Sequence, residues 1–181
     1  MDRAAALNLV QSTVKNQNLL KHMLALEACM RFLARRLEQD EEKWGLAGLV
    51  HDLDYEQTKD DPTSHGMVGA ALLSNHGVAP DVVQAVRAHS GNVPAESLLD
   101  KAIVAADPLT GLIVAAALMH PTKKLAALDT DFILRRFKEK RFAAGANRDQ
   151  IAGCTGLGLS LEEFLGICLE AMKSVAPDLG L

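Results

Sequence analysis

Apolar positions recur along this chain at intervals of three and four residues, the spacing that gathers them on one face of an α-helix. His22, Leu26, Cys29 and Leu33 form one such stripe, and Val82, Ala85, Val86 and His89 form another. The pattern predicts helices over residues 3–15, 18–38, 64–75, 80–89, 97–118, 129–138, 149–153 and 160–175. A further helix starts at the acidic pair Glu41-Glu42 and runs into LAGLVHDL. The punctuation agrees. Gly77 suits a helix end, Pro80 followed by Asp81 suits a first turn, and SLEE at Ser160 has the form of a capping box with Glu163 as the return partner. QTKDDPTSHG, from Gln57, is turn-rich, with Pro62, Thr63 or Ser64 opening the next helix. No pair of segments alternates as strands do. The expected fold class is all-α: one domain over 1–181, with a helical core at 18–118 and a C-terminal helical extension at 119–181.

Composition changes this picture little. The 181 residues suffice for one real core, and with 49% hydrophobic but only 4% aromatic residues that core must be mostly Leu, Ala, Val and Ile. A net charge of -4 gives no case for a nucleic-acid polymer as partner. One stretch departs from the average: residues 122–148 carry eight basic residues against three acidic ones. Within it Lys124 and Arg148 flank turns, and they are the candidates for holding substrate phosphates. Cys29, Cys154 and Cys168 make no CxxC pair and are expected to be buried thiols in a reducing compartment. The N-terminus has no apolar leader and no stretch reads as membrane-spanning, so a cytoplasmic protein without a membrane partner is expected.

The chemistry lies in the histidines, of which there are six. His22, His65 and His89 fall in line with apolar neighbours on predicted helices, as does Asp107 in KAIVAADPLTG. His51 and Asp52 stand side by side after the apolar run LAGLV. Burying any one of these groups unpaired costs roughly several kcal/mol. A centre of divalent cations accounts for all of them together, since such ions accept neutral imidazole and carboxylate alike. Neighbours on a helix diverge by about 100°, so His51 and Asp52 can share a centre if Asp52 bridges two ions while His51 binds one. His76 and His120 sit at helix ends and read as structural.

The order His22, then His51-Asp52, then Asp107 resembles the H…HD…D signature of the HD-domain superfamily of metal-dependent phosphohydrolases. His65 in HGMVGA and His89 in VRAHSG resemble the two additional histidines of its binuclear members, the HDIG and HD-GYP branches among them. The likeness spans about residues 18–118, and implies an HD-domain helical bundle. The remainder resembles HDIG-type bacterial proteins without a chemical clue. The resemblance implies that His22, His51, Asp52 and Asp107 hold one divalent metal ion (Fe, Mn, Zn or Mg) and that His65 and His89 hold a second, with Asp52 bridging. It further implies hydrolysis of a small phosphorylated substrate, such as a nucleotide, by a metal-activated hydroxide, with His51 and Asp52 at the reacting centre. Asp54, beside the HD pair, is the candidate proton relay. LDYE after that pair lacks the glycine and lysine of the HD-GYP pattern, so cyclic-dinucleotide hydrolysis is not expected. Two other readings stay open: a di-iron oxygenase, and a metal- or nucleotide-binding sensor without turnover.

Overall fold

Helix starts in this protein are set by side chains that satisfy the first free amides. In the computed structural model, which describes residues 1–181, Asp2 accepts from the Ala5 amide to open α1 (Arg3–Thr13). Asn16 and Asp40 do the same for α2 (Gln17–Arg36) and α3 (Glu41–Val50). A short α4 (Tyr55–Thr58), α5 (Met67–Asn75) and α6 (Pro80–His89) follow. The longest helix is α7 (Leu98–Met119); after a 3-10 turn at Leu125–Ala127 come α8 (Thr130–Lys138) and α9 (Arg148–Ala152). A second 3-10 turn, Gly153–Leu157, leads to α10 (Leu161–Ser174) and α11 (Ala176–Leu179). The protein is all-α.

Three expectations need correcting. The reciprocal capping box lies at Ser97 and Asp100, at the head of α7, rather than at Ser160. Ser160 does accept from the Glu163 amide, but the Glu163 carboxylate turns to Arg36 on α2 instead of back to its own helix. Second, α5 begins at Met67, not near residue 64. The Thr63 and Ser64 hydroxyls donate to Asp61, winding the chain into a tight turn, and Gly66 follows at φ +76°, a conformation no helix continues through. Third, α7 does reach membrane-spanning length: 22 residues, with a mean hydropathy of 2.0 over its most apolar 18-residue window. Here it is the core helix, packed by α2, α6, α8, α9 and α10, with 56% of its most apolar window buried.

Residues 119–181 share this core with the rest. Ile133, Phe164, Leu165, Cys168 and Leu169 are buried in the same cluster as Leu26, Met30, Ile103 and Leu112. Two details position the site. Pro108 lies inside α7, directly after Asp107, and removes the amide that would bond the carbonyl four residues earlier. Gly48 lets α3 lie directly on α2: a Cβ there would stand 2.7 Å from the Leu26 carbonyl oxygen.

Candidate metal centre

Five chain segments bring six side chains together. His22 comes from the second turn of α2, and Asp107 from the middle of α7. His51 and Asp52 sit in the turn just past α3, where His51 takes its C-cap. His89 closes α6. His65 stands in the turn before α5, not on an inward helix face, because Gly66 delays the helix; Val68, an apolar residue three positions on that an inward helix face at His65 would also bury, is exposed.

Asp52 divides the group in two. Its Oδ2 lies 3.3 Å from His51 Nε2 and 3.6 Å from His22 Nε2. Asp107 Oδ1 closes that half, 3.0 Å from His22 Nε2 and 3.8 Å from His51 Nε2. Asp52 Oδ1 lies 3.4 Å from both His65 Nε2 and His89 Nε2. Within each half two imidazole nitrogens face each other at 3.1 Å, His22 Nε2 with His51 Nε2 and His65 Nε2 with His89 Nε2.

The outer ring nitrogens fix what those inner ones carry. His51 Nδ1–H donates to the Gly48 carbonyl at 2.9 Å, and His89 Nδ1–H donates to the Val86 carbonyl. The Thr110 hydroxyl gives its proton to the Asp107 carbonyl at 2.8 Å, leaving its oxygen to accept from His22 Nδ1–H at 2.9 Å. His65 Nδ1–H donates to Asp54 Oδ1 at 3.0 Å, with the Thr58 hydroxyl beside it. In neutral rings all four Nε2 atoms therefore present lone pairs inward. Neither nitrogen of a facing pair has a hydrogen for the other. What fits between them is a proton on one ring or a cation shared by both.

The charges follow the same geometry. Burial pushes the Asp52 carboxyl up, but His51 and His89 more than offset this and hold it well below the ordinary carboxylate range. Burial likewise acts on Asp107, and the bond and charge of His22 outweigh it, lowering its pKa. Burial depresses His22 and His89, yet Asp107 raises the first and Asp52 the second, for a net increase in both. A site that draws protons onto its imidazoles this way draws divalent cations by the same carboxylates. Nitrogen and oxygen donors without thiolates suit Fe, Mn or Zn.

His51 and His89 are sealed, while His22 and Asp107 each keep 26% of their side-chain surface open. That opening is a cleft of about 360 Å³ lined by His22, Asp52, His65, Asp107 and the exposed Tyr55, whose ring meets the His65 ring edge-on at 5.5 Å. Two neighbouring clefts share His22: one of about 370 Å³ bounded by Asp107 and residues 143–146, and one of about 450 Å³ bounded by Thr110, Lys21 and Val114.

Three expected participants are elsewhere. Asp54 is buried behind His65, its oxygens taken by His65 Nδ1 and, at 2.6 Å, by the Gly69 amide, so it holds that ring from behind and does not line the cleft. Burial raises its pKa less than His65 and the Gly69 and Gly66 amides lower it. Arg148 is not free for a phosphate: its guanidinium donates to the carbonyls of Phe137, Ala143 and Ala146, and to those of Glu139 and Phe142. Lys124 is exposed beyond the end of α7 and lines none of the three clefts. His76 and His120 cap helix ends away from the cluster, and the three cysteines are buried free thiols. Sequence reasoning missed Thr110 and Thr58. Their signal was spacing, Thr110 three residues after Asp107 and Thr58 four after Asp54.

The HD-domain family model matches residues 19–112. Among curated relatives, Ribonuclease Y of Oleidesulfovibrio alaskensis is 33% identical over 96 residues, covering 53% of this chain and 18% of that protein. Ribonuclease Y of Sulfurovum sp. is 30% identical over 136 residues (74% of this chain, 27% of that protein), and Ribonuclease Y of Desulfotalea psychrophila is 31% identical over 142 residues (76% and 27%). The chain thus spans about a quarter or less of the length of these relatives. No solved structure matches it. The stretch matched by the family model is just over half of the chain and contains every member of the cluster, from His22 to Asp107; this chain belongs to the HD-domain family of metal-dependent phosphohydrolases.

Proposed function

We propose that this chain hydrolyses phosphoester or phosphoanhydride bonds of small phosphorylated compounds, nucleotides among them, with two divalent cations seated in the two halves of the cluster. The observation that carries this reading is the pair of 3.1 Å gaps between inward-facing imidazole nitrogens, one on each side of Asp52. His22, His51, Asp52 and Asp107 would hold the first cation; His65, His89 and the other Asp52 oxygen would hold the second. Divalent cations there would draw charge from a phosphoryl oxygen and make water acidic enough to attack it near neutral pH.

The chain's own contribution is placement. Gly48, Val86, Thr110 and Asp54 each hold one ring by its outer nitrogen, so that every Nε2 is aimed before substrate arrives. Sealing His51 and His89 keeps water off the inner wall, while the open edges of His22 and Asp107 admit the phosphate. Tyr55 offers a flat face at the mouth, suited to a ring on the substrate.

A second reading, cleavage of RNA phosphodiesters, is favoured by the name Ribonuclease Y carried by the relatives and by three clefts meeting at His22, which would let a strand cross the centre. One experiment tests both. Metal content of the untreated protein is measured together with hydrolysis of bis(p-nitrophenyl) phosphate, a nucleotide panel and a short RNA. Two ions per chain and release of nucleotide phosphate support the first reading; cleavage of the RNA alone supports the second. Iron with oxygen uptake and no phosphate release replaces both with the oxygenase, and bound metal without any turnover leaves the sensor.

A further inference from the structure

The guanidinium of Arg148 gathers five carbonyl oxygens, one from Phe137 in the last turn of α8 and four from the segment between α8 and α9. Two of them, from Phe142 and Ala143, belong to consecutive peptides. In a trans peptide the N–H points opposite the C=O. Pulling those carbonyls toward Arg148 therefore turns the amides of Ala143 and Ala144 away from it. Neither amide donates to any group of the chain. Ala143 between them takes φ 43°, a left-handed conformation uncommon outside glycine, and a left-handed residue in a turn is one element of the arrangement in which neighbouring amides converge on a concave, anion-accepting face. Ala143 and Ala144 also line the cleft of about 370 Å³ that His22 and Asp107 border. The stretch around them is the one with eight basic residues against three acids.

We infer that the backbone amides of Ala143 and Ala144 form an anion subsite that takes a phosphate oxygen of the substrate, and that Arg148 is the positioning residue that holds them in place. This rests on the phosphohydrolase reading above. It gives the arginine the reverse of the role expected from its charge: the guanidinium binds the protein's carbonyls, and the protein's amides bind the phosphate.

The test uses the full chain loaded with Mn(II). Inorganic phosphate binding is measured by calorimetry, metal content is measured in parallel, and kcat and KM are measured with bis(p-nitrophenyl) phosphate. Losing such hydrogen bonds should weaken phosphate binding and raise KM by about tenfold in Arg148→Gln, with kcat within about threefold and metal stoichiometry unchanged. Arg148→Lys, a cation that cannot span five carbonyls, should behave like Arg148→Gln. Arg141→Gln removes the same charge from an exposed site and should stay within about twofold of the parent. Equal losses at 141 and 148 would reduce the effect to diffuse charge and overturn the subsite, as would an unchanged phosphate affinity in Arg148→Gln. If Arg148→Gln does not fold, Ala144→Trp keeps the guanidinium contacts and crowds the cleft; unimpaired phosphate binding there overturns the inference too. A parent protein that binds no phosphate and hydrolyses nothing sinks the phosphohydrolase reading itself, whereas an active parent with insensitive variants sinks the loop alone.

Discussion

Glu27 and Asp52 are both buried carboxylates, at 3% and 6% exposure, and the chain treats them in opposite ways. Glu27 is closed by the protein. Arg3 donates to both of its oxygens at 2.6 and 2.9 Å, and Arg31 adds a third contact at 3.0 Å while also reaching Glu42. Asp52 meets no amide and no guanidinium; its oxygens face only imidazole nitrogens at 3.3 to 3.6 Å. Burial alone therefore does not mark a functional site. What marks it is a buried charge whose partners are themselves left with lone pairs, so that the neutralising group has to come from outside.

The contrast can be broken first at the carboxylates themselves. Asp52→Asn should lower phosphoester hydrolysis by about a thousandfold or more, since it removes the one group that both proposed cation places share, while circular dichroism shows the fold intact. Arg31→Ala should do the reverse. It removes one of the three contacts that close Glu27, leaving the two from Arg3, and should cost about 2 kcal/mol in urea unfolding, with hydrolysis by the folded protein unchanged. If Asp52→Asn unfolds the chain, or Arg31→Ala inactivates it without destabilising it, the distinction fails.

A smaller effect is expected one step out from the centre. Asp54→Asn keeps the shape but weakens the hold on His65 Nδ1, and should reduce affinity for one of two cations by about 10- to 100-fold in a metal titration. Equal weakening of both would mean that Asp52 does not divide the cluster as the distances suggest.

The smallest effect is in pH. His22 and His89 fold with pKa values raised above the ordinary value of about 6.5. In metal-stripped protein their stabilising contribution is complete below that pH and is lost as pH rises through the raised values. The stripped protein should accordingly melt a few degrees lower near pH 8 than near pH 6, by thermal scan. Mn-loaded protein should slope the other way over the same window, because protons and metal compete for the same Nε2 lone pairs. Parallel slopes would mean that the metal binds elsewhere.

Much of this centre is legible in the sequence, for a definite reason. His22, His89 and Asp107 lie on regular helices, where the 3.6-residue period states which way a side chain faces. His65 was recognisable by type but not by placement. Its direction depends on a turn built by Asp61 and on a left-handed Gly66, and helical periodicity carries no information about either. Arg148 failed for a related reason. A positive side chain after AAGAN reads as a phosphate hook, yet the apolar run FAAGA has no side chain to donate to its own carbonyls, and the nearest arginine meets that need first. Residue types thus announced the cluster, while loops and backbone polarity decided which neighbours support it.

The glycine at position 48 has a consequence for ion choice. His22 rides on α2 and His51 on the end of α3, so the spacing of their rings depends on how closely the two helices lie, and at residue 48 there is no room for a side chain against the Leu26–Glu27 backbone. A single methyl there would act as a shim, lifting one jaw from the other and widening the His22–His51 spacing, so that any cation seated there on the proposed reading would be a larger one.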